Sequence, residues 1–281
     1  MKERPIIFST QMVRSILAGR KTQTRRVVKN DLLQNYPGTF DGMSGFFGKC
    51  GYKGIVGNDF YMRTKNLRRR YKAAPECWHW VLVVHDEKRT DHVIQIRCPY
   101  GAVGDELWVR ETWRIVGWQE GEPYYLQYKS DGTFLDEPGD SSDYDEDKYL
   151  QYYIDCSDDC EKAGLKLDSD ECYSFKKSES PTRWRPSIFM PRWASRIQLR
   201  VTDISVERVQ DITKDDIYAE GTETDEFLDL QEHAECVAPE GSHLPTIENE
   251  FQWMWNGINQ KRGYGWEKNP WVWAVQFKVK E

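Results

Sequence analysis

Residues 19–26 have the sequence Gly-Arg-Lys-Thr-Gln-Thr-Arg-Arg and lie where a helical pattern changes to a strand pattern. Gly19 can end the preceding helix, because glycine readily adopts the left-handed conformation that follows a helix C-terminus. Lys21 and Thr24 are three residues apart, so a turn into a strand can point the amine and the hydroxyl into one pocket. A desolvated lysine beside other cations can act as a base on a hydroxyl nucleophile. The same pattern is also typical of a basic strand start that binds phosphate or only solvent.

Short strand patterns outnumber helical patterns along the rest of the chain, which predicts an α+β fold around a small β-barrel. Helices are predicted from Ser9 or Thr10, from Thr213 and over 245–258, with another near 226–235. Strands are predicted over 5–8, 78–84, 93–97, 106–110, 124–128, 150–154, 196–208 and 271–279.

The net charge of −7 is unevenly distributed along the 281 residues. Residues 119–172 hold 17 acidic and 4 basic side chains, so the other 227 residues have a net charge of +6. A basic surface attracts polyanions, and the expected partner is therefore a nucleoside, a nucleotide or a nucleic acid. Charge runs also occur on ordinary solvated faces, which is the alternative interpretation.

Composition excludes several classes of protein. The 12 Trp, 15 Tyr and 11 Phe argue against a disordered chain, although the mean hydropathy is −0.77. No apolar run approaches the roughly 18 residues of a membrane span, so no membrane is expected. The N-terminus is too polar for a signal peptide, which predicts a cytoplasmic protein. The seven cysteines are an odd number and are expected to be free thiols in a reducing compartment.

Two patterns resemble metal sites, and both are incomplete. Three aspartates at alternate positions within 143–147 have the spacing of a calcium loop, but its central glycine and its closing glutamate are missing. Cys156, Cys160 and Cys172 lack a fourth ligand for structural zinc. Phosphate-binding, dinucleotide-binding and metalloprotease motifs are also missing. We therefore expect no metal and no cofactor.

The stretch quoted at the outset resembles the signature of the ASCH domain, a PUA-like small β-barrel: Gly-x-Lys, then a polar position, then Arg. Gly19, Lys21 and Arg26 match this signature. Thr24 takes the polar position, which is often Glu in the wider family. The Lys-x-x-Thr form is similar to the bacterial N4-acetylcytidine amidohydrolases, in which this Lys and Thr act with a Glu on a helix after a long central strand. By that match Glu220 is the third catalytic residue.

Later segments resemble the family in the same order. Gly-Asp-Glu-Leu-Trp-Val is similar to a strand-start motif of the family, and three longer stretches look like ASCH-domain proteins of tailed phages and prophages. These are residues 104–109 for the short motif, and 98–113, 189–197 and 262–273 for the longer stretches. The resemblance implies one domain over 1–281, a PUA-like barrel with flanking helices and with insertions at about 30–77 and 119–183. It also implies a bacterial host cell as the location.

Six further residues are candidates for substrate contact: Arg26, Arg110, Glu111, Trp193, Tyr264 and Trp266. Residues 262–266 place two aromatic rings between glycines, where a base can stack on them. Each candidate has an alternative. Arg110 and Glu111 can form a structural ion pair, and the aromatic residues can belong to the core. Glu220 can instead cap its helix or pair with Arg208 or Lys214.

The resemblance implies a hydrolase that acts on a modified nucleobase or nucleoside. Lys21 would take the proton of Thr24, which would attack an acyl group on an exocyclic amine, and Glu220 would protonate the leaving amine. Arg26 or a backbone N–H would stabilise the oxyanion. The alternatives are a non-catalytic module that reads a modified or flipped base, a ribonuclease with Arg25 among its cations, and an interaction protein whose acidic insertion mimics DNA. The sequence does not constrain the oligomeric state.

Overall fold

The computed structural model describes residues 2–29, 46–49, 80–85, 91–96, 98–119, 122–136, 146–169, 172–222 and 246–280. Helices and strands are mixed in these ranges, in agreement with the α+β prediction. The chain forms two compact units. The first unit comprises Met1–Lys21, Glu106–Arg200 and Lys278–Glu281, and the second comprises Thr22–Asp105 and Val201–Phe277. A single ASCH-like domain over 1–281 stays a prediction.

The secondary structure in the described ranges follows the predicted order in most places. The strands are β1 (Glu3–Ile7), β2 (Gln23–Val27), β3 (Phe46–Lys49), β4 (Trp80–His85), β5 (Asp91–Ile96), β6 (Glu106–Arg110), β7 (Trp113–Gln119), β8 (Glu122–Tyr128), β9 (Phe134–Asp136), β10 (Gln198–Arg208) and β11 (Trp271–Val279). The helices are α1 (Thr10–Leu17), α2 (Glu146–Lys162), α3 (Lys214–Ala219) and α4 (Ile247–Asn259). The helix predicted near 226–235 and most of the two insertions lie outside the described residues.

The largest sheet has the strand order β1-β6-β10-β11-β2. In the first unit β1 runs parallel to β6, and the start of β10 runs antiparallel to β6 with Leu199 opposite Leu107. In the second unit β11 runs antiparallel to β2 with Val275 opposite Thr24. Two smaller antiparallel sheets have the orders β3-β4-β5 and β7-β8-β9. In the five-stranded sheet β1 and β2 are edges with one partner each, so the strands described do not close into the expected barrel.

Capping residues determine where three helices begin, and the sequence predicts two of these caps, Ser9 and Thr213. The Ser9 side chain accepts a hydrogen bond from the backbone of Met12 at the start of α1. Thr213 forms a capping box with Asp216 at the start of α3, and Thr246 caps α4. Gly19 has φ +72° and follows the end of α1, as a left-handed glycine does after a helix. The short helices are therefore positioned by local chemistry.

The predicted strand over 150–154 is wrong, because these residues belong to α2. Buried or half-buried side chains recur there every three or four residues, at Tyr149, Tyr152, Cys156 and Cys160. That spacing is helical, and it places these residues on one face of α2. The first three pack against a core cluster that includes Trp113, and this burial favours the helix over the strand.

Each unit has its own hydrophobic core. In the first unit the buried residues are Trp113, Ile115, Leu126, Tyr128, Cys156, Met190, Trp193 and Ala194. In the second unit they are Val209, Ile217, Ile247, Phe251, Trp255 and Val272. Among the described helices, none is both long and apolar enough to span a bilayer.

Candidate functional site

Strand β2 presents two sets of polar side chains. Successive residues of a strand point to opposite faces, so Gln23 and Arg25 share one face while Thr24 and Arg26 share the other. The side chains of Gln23, Thr24 and Arg25 are all buried, and Thr24 is only 1% exposed. An edge strand of polar residues that is buried to this degree requires specific partners within the second unit.

Backbone hydrogen bonds hold the start of this strand against two other elements of the second unit. The Thr22 N–H donates to the Ala219 carbonyl over 2.9 Å, and the Phe277 N–H donates to the Thr22 carbonyl over 2.8 Å. Ala219 is the last residue of α3, and Glu220 follows it as the C-cap of this helix. Residues 22–26 of the signature stretch and Glu220, the residue matched as the third catalytic member, are thus anchored on neighbouring elements of the second unit.

Arg25 lies among three carboxylates, which together with it we call the Arg25 cluster. Its Nε donates to Oε1 of Glu207 over 2.8 Å, its Nη2 lies 3.1 Å from Oδ2 of Asp216, and its Nη1 lies 3.4 Å from Oε1 of Glu220. Gln23 also donates to Asp216, over 3.2 Å. The side chain of Arg25 is 1% exposed and that of Glu220 is 3% exposed. One buried cation therefore faces three acids, of which Glu220 is almost completely buried and Glu207 and Asp216 are about a quarter exposed.

Two carboxyl groups of the Arg25 cluster have pKa values shifted in opposite directions. Burial raises the pKa of Glu207, although the charge of Arg25 opposes this. Burial alone would also raise the pKa of Asp216, but hydrogen bonds from Thr213 and Gln23 outweigh it and lower that pKa. A pair of acids separated in this way can divide the roles of proton donor and acceptor. The sequence analysis did not single out either residue.

Arg26, on the other face of β2, has a second set of neighbours. Burial lowers the pKa of the Arg26 guanidinium, the charges of Tyr100 and Glu220 oppose this, and the positive charge of Arg262 adds to it. Burial raises the pKa of Tyr100, while Arg26 acts to lower it. Tyr100 and Arg262 are thus within electrostatic reach of Arg26. The sequence analysis missed both, although each lies in a stretch that carries the family resemblance.

Lys21 is the last residue of the first unit and is 1% exposed. Its backbone N–H donates to the Ser15 carbonyl over 3.0 Å, which ties it to the end of α1. Its Nζ lies 5.7 Å from the centre of the Phe8 ring, within the range of a cation–π contact. Lysine is almost never buried to this degree without a specific interaction. Lys21 is therefore not a solvated basic residue at the start of a strand.

Arg110 and Glu111 have different partners in the first unit. Arg110 lies over the ring of Trp108, 4.6 Å from its centre, and donates to the Ile188 carbonyl over 3.2 Å. Glu111 is 1% exposed and accepts two hydrogen bonds from Arg196, at 2.9 and 3.1 Å. Glu111 therefore forms its ion pair with Arg196, 85 residues away, and not with its chain neighbour.

Two of the three aromatic candidates, Trp193 and Trp266, pack against other aromatic side chains. Trp193 is 8% exposed and contacts Trp113 edge to face in the core of the first unit. In the second unit Trp266 contacts Phe251 edge to face, and the carbonyl of Tyr264 accepts a hydrogen bond from the Trp255 indole. Trp193 therefore belongs to the hydrophobic core, which was the alternative to a role in substrate contact. Tyr264 and Trp266 are half-buried, so part of each residue still reaches solvent.

Glu220 lies at the C-cap of α3, as one alternative predicts, but the two basic residues considered as its ion-pair partners have other partners. Arg208 donates to the Asn269 carbonyl and lies over the Trp271 ring, while Lys214 pairs with Glu248. The ion-pair partner of Glu220 is Arg25, which the sequence analysis named only as a possible phosphate-binding cation. Sequence distance explains the miss, since 195 residues separate the two.

We expect replacement of Asp131 by Asn to lower the free energy of unfolding at pH 7 by about 1–2 kcal/mol, because water screens this partly exposed carboxylate. Burial alone would raise the pKa of Asp131, but hydrogen bonds from Arg196 and Thr133 outweigh it and lower the pKa to about 2. The folded-state pKa is below the unfolded value of 3.8, so the stabilisation is present above pH 4 and is lost as the pH falls towards 2. Denaturant titrations at pH 7, 5 and 3 measure this.

The control for that variant is Asp136→Asn, which removes an exposed carboxylate 3.5 Å from Lys177. An exposed pair contributes little, so its free energy of unfolding should change by less than about 1 kcal/mol at every pH. Equal losses in the two variants would contradict the special role of Asp131.

Within the described ranges no group of three or more His, Cys, Asp or Glu residues is placed to hold a metal ion. The aspartates of the calcium-like pattern lie mostly outside those ranges. Cys156 and Cys160 are buried thiols and Cys172 is an exposed one.

The second unit thus contains three of the residues that the resemblance assigns, Thr24, Arg26 and Glu220, and Glu220 is within electrostatic reach of Arg26. It adds Arg25, Glu207, Asp216 and Tyr100 to them. Arg110, Glu111 and Trp193 belong to the first unit. Comparison with family models, with curated proteins and with solved structures finds no match to this chain.

Proposed function

We propose that this chain is a hydrolase that removes an acyl group from a modified nucleobase or nucleoside, with an N-acylated cytosine as the substrate type. The observation that carries the proposal is the burial of Thr24 on one face of β2 and of Glu220 within the Arg25 cluster, with α3 hydrogen-bonded to the start of the same strand. Burying several charged groups together costs folding free energy, and perturbed ionisable groups gather at functional sites more often than elsewhere. The ASCH-like signature is the second support.

The proposed reaction assigns one step to each matched residue. Lys21 takes the proton from the Thr24 hydroxyl, and the oxygen attacks the acyl carbon. The bond between that carbon and the exocyclic nitrogen then breaks, and Glu220 donates a proton to the leaving amine. Arg26 stabilises the oxyanion. Water finally attacks the acyl ester on Thr24 and gives a proton to Glu220. The bond between the acyl carbon and the Thr24 oxygen then breaks, and Lys21 returns its proton to that oxygen.

The Arg25 cluster argues against one alternative, the ribonuclease. That mechanism uses Arg25 as a cation for a phosphate, but three carboxylates already surround its guanidinium. A phosphate would have to compete with all of them in a site of net negative charge. The non-catalytic module that reads a modified base is distinguished from the hydrolase by turnover alone.

We expect the purified chain to convert N4-acetylcytidine to cytidine and acetate, measured by liquid chromatography with mass spectrometry. Thr24→Val keeps the shape of the side chain but removes the nucleophile, so kcat should fall by at least about 100-fold. Glu220→Gln should have a similar effect on kcat. Arg25 keeps Glu207 and Asp216 as partners in that variant, so the fold is expected to survive.

The matched control is Thr22→Val, which makes the same change two residues earlier, at an exposed position of the same stretch. It should keep the wild-type rate. Hydrolysis by Thr24→Val at the wild-type rate would show that Thr24 is not the nucleophile. Binding of acetylcytidine without any release of cytidine would instead support the non-catalytic module. The affinity of such a module for nucleic acid should fall steeply as the salt concentration rises.

A further inference from the structure

The first unit contains a cavity of about 390 Å³ that no part of the proposed mechanism uses. Its walls come from β7, β8, α2, the segment 172–177 and Thr182. This volume is within the range of about 300–1,000 Å³ that is typical of small-molecule sites. None of the nine residues singled out from the sequence as catalytic or substrate-binding lines it.

A β-bulge shapes one wall of this cavity. The pairing of β7 with β8 shifts register on both sides of Gly117, so that Val116 is an extra residue between Ile115 and Gly117. Gly117 lies opposite Tyr125, and a Cβ added to it would lie 2.5 Å from the Tyr125 ring. Bulges re-aim side chains and are common beside binding sites. Here the glycine leaves the Tyr125 ring room at the wall of the cavity.

Aromatic rings make up much of the lining. They belong to Trp118, Tyr125, Tyr153, Tyr173 and Phe175. Trp118 and Tyr153 meet edge to face, with their ring centres 5.5 Å apart. Such rings offer flat apolar surfaces and polar edges, and they favour a planar aromatic ligand that can stack or pack edge to face.

The charge of the lining points to an anionic group on that ligand. Among the described residues that line the cavity, Lys177 is the charged one. Its Nζ lies 3.2 Å from the centre of the Tyr125 ring and 3.5 Å from Oδ1 of the exposed Asp136. Burial raises the pKa of the Cys156 thiol and that of Cys160, the latter to about 11, so both are neutral at pH 7.

We propose that this cavity binds a planar aromatic molecule with one anionic group, of the size and kind of a nucleoside monophosphate. The ring packs among Trp118, Tyr153 and Tyr173, and the anion pairs with Lys177, whose flexible side chain can turn from Tyr125 towards it. This inference does not depend on the hydrolase activity, because no residue of the proposed mechanism lines the cavity.

Isothermal titration calorimetry with the four common nucleoside 5′-monophosphates and their nucleosides tests this inference. At least one monophosphate should bind about tenfold more tightly than its nucleoside. Lys177→Gln should abolish that difference, whereas Lys176→Gln, at a side chain that is 79% exposed, should keep it. Ser157→Trp fills the cavity and should remove all binding, and Ser157→Ala should retain it.

Three results would overturn the inference. The first is that none of the eight compounds binds at about 1 mM, a concentration that detects even weak sites. The second is an equal effect of Lys177→Gln and Lys176→Gln, and the third is unchanged binding by Ser157→Trp. Thr24→Val should bind as the wild type does, so loss of acylcytidine hydrolysis in that variant leaves the cavity proposal standing.

Discussion

Replacing Arg25 with Met is expected to lower the free energy of unfolding at pH 7 by about 3–5 kcal/mol. The guanidinium is the cation that faces Glu207, Asp216 and Glu220 in the Arg25 cluster. Its removal leaves three carboxylates close together, and that of Glu220 is almost completely buried. The loss is expected to exceed that of any surface pair, because water cannot replace the missing charge. Urea or guanidinium titration measures it.

The pH dependence of this loss has a definite sign. Without Arg25 the folded-state pKa of Glu207 rises further above its unfolded value, because burial and the charge of Asp216 both favour the neutral form. The folded variant then takes up protons as the pH falls, and its deficit in stability shrinks between pH 7 and pH 5. Glu207 already has a raised pKa in the wild type, because burial outweighs the charge of Arg25.

Arg20→Met is the matched control, because Arg20 is an exposed arginine of the same stretch. Its effect should stay within about 0.5 kcal/mol. If Arg25→Met is too unstable to purify, the double variant Arg25→Met with Glu220→Gln removes the most buried carboxylate charge. It should recover at least about 1 kcal/mol. A stable single variant with no pH dependence would show that the cluster is not electrostatically coupled.

The second large effect is expected for Arg196→Met, again about 3–5 kcal/mol. Arg196 donates to both carboxylate oxygens of Glu111, to Asp131 and to the hydroxyl of Ser130. It also lies over the Tyr128 ring, 4.1 Å from its centre. Glu111 is buried in the first unit, so the variant leaves it with the Ser130 hydroxyl and without a positive charge.

Arg200→Met is the control for this prediction. Arg200 is four residues further along the chain, its side chain is 53% exposed, and it lies 3.5 Å from Glu106. Lys280 also contacts Glu106, so the control variant leaves that carboxylate paired and should lose less than about 1 kcal/mol. Thermal and denaturant unfolding of both variants give the comparison. Equal losses would contradict the role assigned to Arg196, and Glu111→Gln should restore part of the stability of Arg196→Met.

The sequence predicts local structure correctly where a few neighbouring residues determine it. Ser9, Gly19 and Thr213 mark helix ends through short-range hydrogen bonds or backbone conformation, and the predictions made from them are confirmed. The strands predicted over 106–110 and 271–279 are also confirmed, although consecutive residues on both faces of each are buried. The segment 150–154 shows where this fails, because five residues alternate well enough for a strand. Packing of Tyr149 and Tyr152 against the Trp113 cluster makes it a helix.

The residues of the candidate site were predicted from the sequence, but their partners in space were not. The pattern of residues 19–26 predicts Lys21 and Thr24 as site residues, whereas Glu220 is predicted from the family resemblance alone. That all three are buried is a result of tertiary structure. The same holds for the partners of the charged residues: Arg25 with Glu207, Asp216 and Glu220, and Glu111 with Arg196. These pairs are joined across 85 to 195 residues, and no spacing rule reaches that far.

By itself the sequence determined the α+β class, the starts of α1 and α3 and a short stretch of polar residues that merits a functional test. Those properties depend on periodicity, capping and composition, which act over a few residues at a time. Only the tertiary structure decided which charges neutralise one another and that the strands described form open sheets. It also decided that a bulge at Gly117 shapes a cavity beneath aromatic rings. Burial and ion pairing depend on neighbours in space, and the chain order does not contain them.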